Sequence, residues 1–384
     1  MSEIIKERLE ILKLIFSLVQ HHNFQLGFIF LFLLFMFVRK NFTLKGFWNF
    51  SKVHILWLTL WAIIVPLFVE YLHSKDLHML KVPWLPVSLV GTAVAFYVGF
   101  KNNSSYDRLW EARKIWGAIV NSSRMWGATV LNYVSNQFTE KDVEDSELGA
   151  YKRKLIYRHI GWLYSLRSQL LIPTQWEHIN TGGKIGNKYI EGRMKVFGVG
   201  LFDDQFTKDA LPACLPSDEV NRLINAQNTA TQIVEQQSRD LKELRALDLI
   251  DDFRHMELQK IMNDFYTHQG KCERIKKFPL PRQYASMSLI FVSIFIFLLP
   301  FGLVTEFHDI SEWGAWLSIP FTVVVGWVFL MMELVGDYSE NPFEGLGNDI
   351  PMLALCRTIE IDLKEMLGEE DLPPKIEPVN DVLM

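Results

Sequence analysis

Hydrophobic residues are gathered in long blocks at the two ends of the chain, and a charged middle separates them. Val53–Leu72, Gln283–Val304 and Trp313–Val335 are nearly all apolar and reach the ~20 residues that a helix needs to cross a hydrocarbon core. Trp84–Phe100 carries no charge, and its seventeen residues would rise roughly 26 Å as a helix. Pro83 and Pro86 stand in or before its first turn, where a helix tolerates proline. Gly91, Ala93, Ala95 and Gly99 offer small surfaces for close helix packing. Beyond Lys101 the chain turns polar with no stop signal, so the spacing predicts one helix that leaves the bilayer and continues in water. The loop His73–Val82 is short, which makes the Val53 and Trp84 helices antiparallel neighbours.

Two further patterns precede these spans. Ile5, Leu9, Leu12, Ile15, Phe16 and Val19 recur at helical spacing, the mark of an amphipathic helix at a surface or interface, a packing helix first and a lipid-binding one as the alternative. Phe24–Val38 is apolar over only fifteen residues; it is either a fifth span or a segment lying against the others. In the middle, Tyr106–Tyr133 and Tyr151–Leu171 read as amphipathic helices, and the glycines from Gly182 to Gly200 as loop. Ser217 is an expected N-cap for a helix running to about Phe265, with Leu247, Ile250, Phe253, Leu258, Ile261 and Phe265 as its apolar stripe. Asn225–Gln237, rich in uncharged polar residues, suits either a wet internal face or a polar helix contact. The expected fold is an all-α membrane protein with a cytoplasmic helical bundle. It divides into 1–51 (amphipathic helix and extra apolar segment), 52–100 (spans), 101–282 (cytoplasmic helices), 283–336 (a membrane hairpin) and 337–384 (a cytoplasmic tail).

Charge orients these elements. Arg39, Lys40, Lys45 and Lys52 precede the first span, and Arg274, Lys276, Lys277 and Arg282 precede the hairpin, whose connecting loop holds Glu306, Asp309 and Glu312. Basic residues mark the cytoplasmic side, so the charged middle faces the cytoplasm of a multi-pass protein in the cell (inner) membrane. The first twenty residues mix charges through apolar positions, unlike a signal peptide, and are expected to stay attached. A net charge of −5 gives no basic excess for nucleic acid. Cys214, Cys272 and Cys356 are too few and too scattered for a disulfide framework or a zinc site.

No catalytic constellation is present: there is no H-E-x-x-H, G-x-S-x-G or Walker sequence, and T-G-G-K at Thr181 lacks phosphate-loop spacing. His73 and His78 flank Asp76 without a fixed third ligand, so no metal site is assigned. Two patterns remain. Leu85, Leu89, Thr92, Ala93, Phe96 and Phe100 fall on one face of the Trp84 helix; such a stripe is either core or, repeated around an axis, an apolar constriction that gates by dewetting. Glu333, Asp337 and Glu340 recur at i, i+4 and i+7 ahead of Asn341-Pro342, with Asp349 beyond. Acidic residues there oppose the helix dipole, which calls for a belt of charges paired with Lys101, Arg108 and Arg113 or with a neighbouring subunit. Glu111 and Arg113 point to different sides of their helix, and Trp110 and Trp116 can bury.

Three runs resemble the bestrophin-like channel family, its bacterial members especially. They are P-V-S-L-V-G followed by V-G-F-K-N-N-S-S-Y-D-R-L-W-E-A-R-K-I-W-G, K-C-E-R-I-K-K-F-P-L-P from Lys271, and E-N-P-F-E-G-L-G-N-D-I-P-M-L-A-L-C-R-T-I-E-I-D-L from Glu340. The resemblance covers roughly Lys52 to Leu372, aligns the family's first span with Val53–Leu72, and makes Phe24–Val38 an addition. It implies a homopentamer in membrane lipid whose Trp84 helices form a hydrophobic neck, and a P-x-S turn at Pro86–Ser88 that carries the neck to Leu85, Leu89 and Ala93. Ala93 stands where animal members usually have a bulky apolar residue, so Thr92, Phe96 or Phe100 takes over the constriction, or that level is wider. A second narrowing is implied near Asn221–Ala226. In animal members the N-P-F segment opens a calcium clasp; here Leu346, Gly347 and Asn348 occupy much of that acidic cluster, so no cofactor is expected, calcium included. The implied activity is passive conduction of monovalent ions, chloride or another small anion first, with a cation-selective pore as the alternative. A membrane-anchored scaffold or sensor without ion flux is the rival from another class, and no enzymatic activity is expected.

Overall fold

The computed structural model of the chain describes residues 44–75, 82–140, 143–178, 205–311, 313–345, 349–378 and 383. The segments Ile4–Val19 and Phe24–Val38 and the glycine-rich stretch 182–200 lie outside the described residues, as do Asp76 and His78. Ten α-helices and no strands are found among the described residues: α1 Leu44–His73, α2 Trp84–Tyr133, α3 Asp145–Leu170, α4 Gln205–Cys214, α5 Ser217–Ile224, α6 Thr229–Ala246, α7 Asp252–Lys277, α8 Arg282–His308, α9 Gly314–Asp337 and α10 Met352–Met366.

Four of these helices, α1, α2, α8 and α9, are long and apolar enough to cross a membrane. α8 and α9 pack on each other and on both α1 and α2, around Leu58, Val87, Val94, Val98, Val292, Phe295 and Leu299. α1 packs on α8 and α9 rather than on α2, so the two helices expected to be antiparallel neighbours are held apart by the hairpin. Pro66, Pro300 and Pro320 lie inside them, which membrane helices accommodate through neighbours and local adjustment. Close approach is set by small residues: a Cβ at Gly91 would meet the Phe295 ring at 2.6 Å, and one at Gly336 would strike the Asn102 side chain. The remaining helices enclose a separate core around Trp116, Trp126, Trp162 and Phe265. α2 belongs to both cores. It is one unbroken helix of 50 residues, about 75 Å long, and joins the four apolar helices to the second bundle as a single strut.

The expected helix from Ser217 to Phe265 is three helices. Pro216 rather than Ser217 precedes the first. Asn228 caps α6 by accepting from the Thr231 N–H at 2.9 Å. α6 then ends in a reversed turn: Asp248 takes φ +56°, and the N–H groups of Asp248 and Leu249 return to the Arg245 and Leu244 carbonyls, the Schellman pattern that usually takes glycine. Asp251 recaps α7 by accepting from Arg254 N–H. The apolar stripe therefore divides, with Leu258, Ile261 and Phe265 buried and Phe253 82% exposed. Gln237 is buried and donates to the Leu155 carbonyl, a polar helix contact rather than a wet face. Trp116 is fully buried, but Trp110 is 44% exposed and stacks on Tyr106.

Candidate functional site

The membrane half of α2 has two unlike faces. Val87, Gly91, Val94 and Val98 are buried against the other spans, whereas Leu85, Leu89, Thr92, Ala93, Phe96 and Phe100 are all exposed in the single chain. Four large apolar side chains there are more than 60% exposed. Burial by neighbouring helices thus uses one side of the helix and leaves the sequence-predicted stripe uncovered by the described residues. The hydroxyls on this side are turned inward along the backbone: Ser88 donates to the Leu85 carbonyl at 2.8 Å and Thr92 to the Ser88 carbonyl at 2.9 Å. An apolar groove beside the stripe, about 470 Å³ in volume, is lined by Trp84, Phe295, Val325 and Phe329 among others.

Directly below the stripe the buried face becomes polar. Lys101 meets Glu333 of α9, and Ser288 of α8 donates to the same carboxylate. Asn102 donates to the Met332 carbonyl at 2.8 Å, and Tyr97 to the Tyr284 carbonyl at 3.1 Å. These bonds lock α2 to α8 and α9 at the level where the membrane helices end.

A second cluster lies around the C-terminus of α9. His178 places Nε2 3.0 Å from Asp337 and Nδ1 2.9 Å from Glu344, and its ring stacks on Tyr338. Both ring nitrogens face carboxylates, so both act as donors and the ring is an imidazolium. Burial alone would lower its pKa, but the hydrogen bonds and charges of Asp337 and Glu344 outweigh it and raise the value to about 10. Arg282 pairs with Glu340 at 2.7 Å, and Lys276 with the buried Glu177 at 2.5 Å. Asp349 accepts the N–H groups of Phe343, Gly345 and Ile350. Its complete burial raises its pKa, and those three donors pull against that rise.

The belt residues therefore come together, with partners only partly those expected. Glu333 has Lys101, as expected, and Glu340 has Arg282. Arg108 instead donates to the Ile275 carbonyl from a half-buried position that lowers its pKa. Arg113 is exposed on another side of α2, and Glu111 pairs with Arg274. Asn341 is buried with neither end of its amide hydrogen-bonded among the described residues. His178, Glu177, Ser288 and Glu344 complete the cluster and escaped the sequence reading. Glu344 follows the N-P-F run and had a local signal, but His178 is 159 residues from Asp337 and had none. Near Asn221–Ala226, Asn221 and Asn225 are exposed and Leu223 is buried. His73 packs edge-on against His308. Among the described residues no group of three acidic, His or Cys side chains could hold a metal ion.

The profile of the family described as Bacterial/Fungal Bestrophin protein matches residues 42–365. The voltage-dependent anion channel-forming protein YneE of Escherichia coli K12 is 26% identical over 300 residues, covering 78% of this chain and 82% of its own length. A voltage-dependent anion channel-forming protein of Mesorhizobium japonicum is 26% identical over 293 residues, with 76% and 77% covered. Among solved structures, a bacterial bestrophin homologue from Klebsiella pneumoniae superposes with a TM-score of 0.64 at 22% identity, covering 84% of this chain and 99% of its own.

Proposed function

The chain belongs to the bacterial and fungal bestrophin family, and from that premise we propose that it is a passive channel for monovalent ions, assembled as a homopentamer around the α2 helices. One observation carries the reading: the uncharged face Leu85–Leu89–Thr92/Ala93–Phe96–Phe100 is exposed in the single chain while the opposite face is buried. Several copies about an axis turn that face into rings of apolar side chains, a neck that conducts when wetted and closes when dry. The cell membrane holds the spans, and the basic residues before α8 keep α3–α7 and α10 in the cytoplasm. The aqueous bundle extends the pore as a vestibule with a second narrowing near Asn221–Ala226. No enzymatic step and no cofactor is part of this reading.

Small anions, chloride first, are the proposed cargo, supported by the names of the curated relatives. One observation favours the cation alternative. Ser88 and Thr92 spend their hydroxyl protons on the helix, so along the neck they offer lone pairs, not donors. The test is flux from purified protein in liposomes under salt gradients, for wild type and Leu89→Ala. Flux altered by the substitution supports the neck, and the sign of the reversal potential assigns the ion class. A folded oligomer that carries no ions favours the membrane-anchored scaffold.

A further inference from the structure

The face that carries the stripe does not end at Phe100. α2 runs on without a break to Tyr133, and positions seven apart return to nearly the same side of a helix. Ala93, Phe100, Asp107, Lys114 and Asn121 are such a series, and all five are exposed. Asn103 is exposed between them and donates to Asp107 at 3.3 Å. Asp107 is in no ion pair among the described residues, and neither is Lys114. Other charges nearby are turned away or engaged: Arg108 binds the Ile275 carbonyl, Glu111 pairs with Arg274, and Arg113 is rotated about 100° from Lys114.

We propose that Asp107 and Lys114 form the first two charged rings on the cytoplasmic side of the neck and set the anion-to-cation preference of the pore in opposite directions, an assignment that rests on the channel reading above. Asp107 lies roughly 10 Å along the axis from Phe100, and Lys114 roughly 21 Å. At physiological ionic strength charge is screened over about 8 Å. Asp107 is therefore the stronger determinant at the neck mouth and favours cations there. Lys114 gathers anions deeper in the vestibule, and its influence on the neck grows as salt is lowered, because screening then extends to about 30 Å at 0.01 M. Focusing by the low-dielectric walls of a narrow passage strengthens both.

Reversal potentials in potassium chloride gradients, measured on planar bilayers, test the assignment. Asp107→Asn is expected to raise the chloride-to-potassium permeability ratio by about two-fold or more, and Lys114→Gln to lower it by less. Diluting the salt tenfold should enlarge the Lys114→Gln shift more than the Asp107→Asn shift. Both side chains are exposed, so both variants should fold, and elution as the wild-type oligomer checks this. A conducting wild type whose reversal potential moves in neither variant, at high or low salt, overturns the assignment and leaves the channel reading intact. A wild type that carries no current overturns the channel reading and the assignment together.

Discussion

Lys101 and Glu333 form a buried ion pair, Nζ to Oε1 at 2.5 Å, one residue past the last member of the exposed apolar stripe. Their side chains are 1% and 3% exposed, and Ser288 occupies the second carboxylate oxygen. The pair joins α2 to α9 on the side of α2 opposite the stripe. Three helices are thereby fixed in rotation at one level, and the face that α2 turns outward is fixed with them.

Removing one partner of this pair should be far more damaging than removing both. Lys101→Met or Glu333→Met leaves a lone charge among buried groups, at a cost of about 3–5 kcal/mol. The double variant, which replaces the pair with apolar side chains, should recover most of that loss. Thermal unfolding of the detergent-solubilised oligomer, run as a double-mutant cycle, reads the difference. A double variant whose loss equals the sum of the two single losses would show that the pair is not coupled.

The membrane layer was legible because each span is a long apolar block and because proline, tryptophan and basic residues punctuate the blocks in the expected order. The unbroken α2 was legible for a negative reason: nothing between Phe100 and Asn132 stops a helix. What escaped were breaks made by side-chain geometry. Asp248 ends α6 in a left-handed conformation that glycine usually takes, and Asn228 and Asp251 start helices inside what reads as one continuous polar run. The acidic belt could be seen as a spacing, but its partners could not. His178, Glu177 and Lys276 meet only after the chain has folded back across distances that no local pattern records.

Helix spacing at the same level depends on absent side chains. Gly336→Ala would drive a methyl group into Asn102, which itself holds the Met332 carbonyl. The expected result is a loss of about 1–3 kcal/mol from overpacking and a lower yield of assembled protein. Gly99→Ala, where an added Cβ meets nothing, is the matched control and should hold or slightly raise the melting temperature, since alanine favours a helix interior over glycine by about 0.5–1 kcal/mol.

Stability should fall on the alkaline side through His178. Its pKa is raised from 6.5 to about 10 in the folded chain. The extra stability is fully present below about 6.5 and is lost as pH climbs toward 10. Hydrogen bonds to charged groups contribute about 1.5–3 kcal/mol, so the wild-type melting temperature should drop measurably between pH 7 and pH 10. In His178→Gln the drop over that interval should be smaller, with lower stability at pH 7. Parallel wild-type and variant curves would show that His178 carries no linked proton.

Calcium should leave the protein unchanged. Each carboxylate around the N-P-F run is engaged through at least one oxygen: Glu340 by Arg282, Glu344 by His178, and Asp349 by three backbone N–H groups. Glu340 Oε2 and Asn341 Oδ1 are buried without a partner among the described residues, but a calcium ion needs six to eight oxygen ligands and would have to displace the partners of the others. Melting curves and liposome flux should coincide in millimolar calcium and in chelator. By contrast, Asp349→Asn should destabilise the turn by roughly 1–3 kcal/mol, because a buried N–H group loses its acceptor. A calcium-dependent shift in melting would overturn this account.

In the proposed channel the narrowest level of the neck should be set by the bulky exposed side chains rather than by Ala93. Leu89, Phe96 and Phe100 project from the same face at 62%, 67% and 65% exposure, and Ala93 leaves a gap between the first two. A dry constriction depends on the width of its apolar rings, so trimming a wide level changes little and trimming the narrow one changes much. Phe96→Ala is therefore expected to raise single-channel conductance more than Ala93→Gly does. Ala93→Leu, which fills the gap, should reduce conductance or stabilise the closed state. Phe96→Tyr keeps the ring and adds a hydroxyl; it should ease wetting with little change in width, raising open probability more than unitary current. If Phe96→Ala conducts like wild type while Leu89→Ala does not, the constriction lies nearer the Pro86 turn, and the α2 helices converge at the opposite end of the stripe.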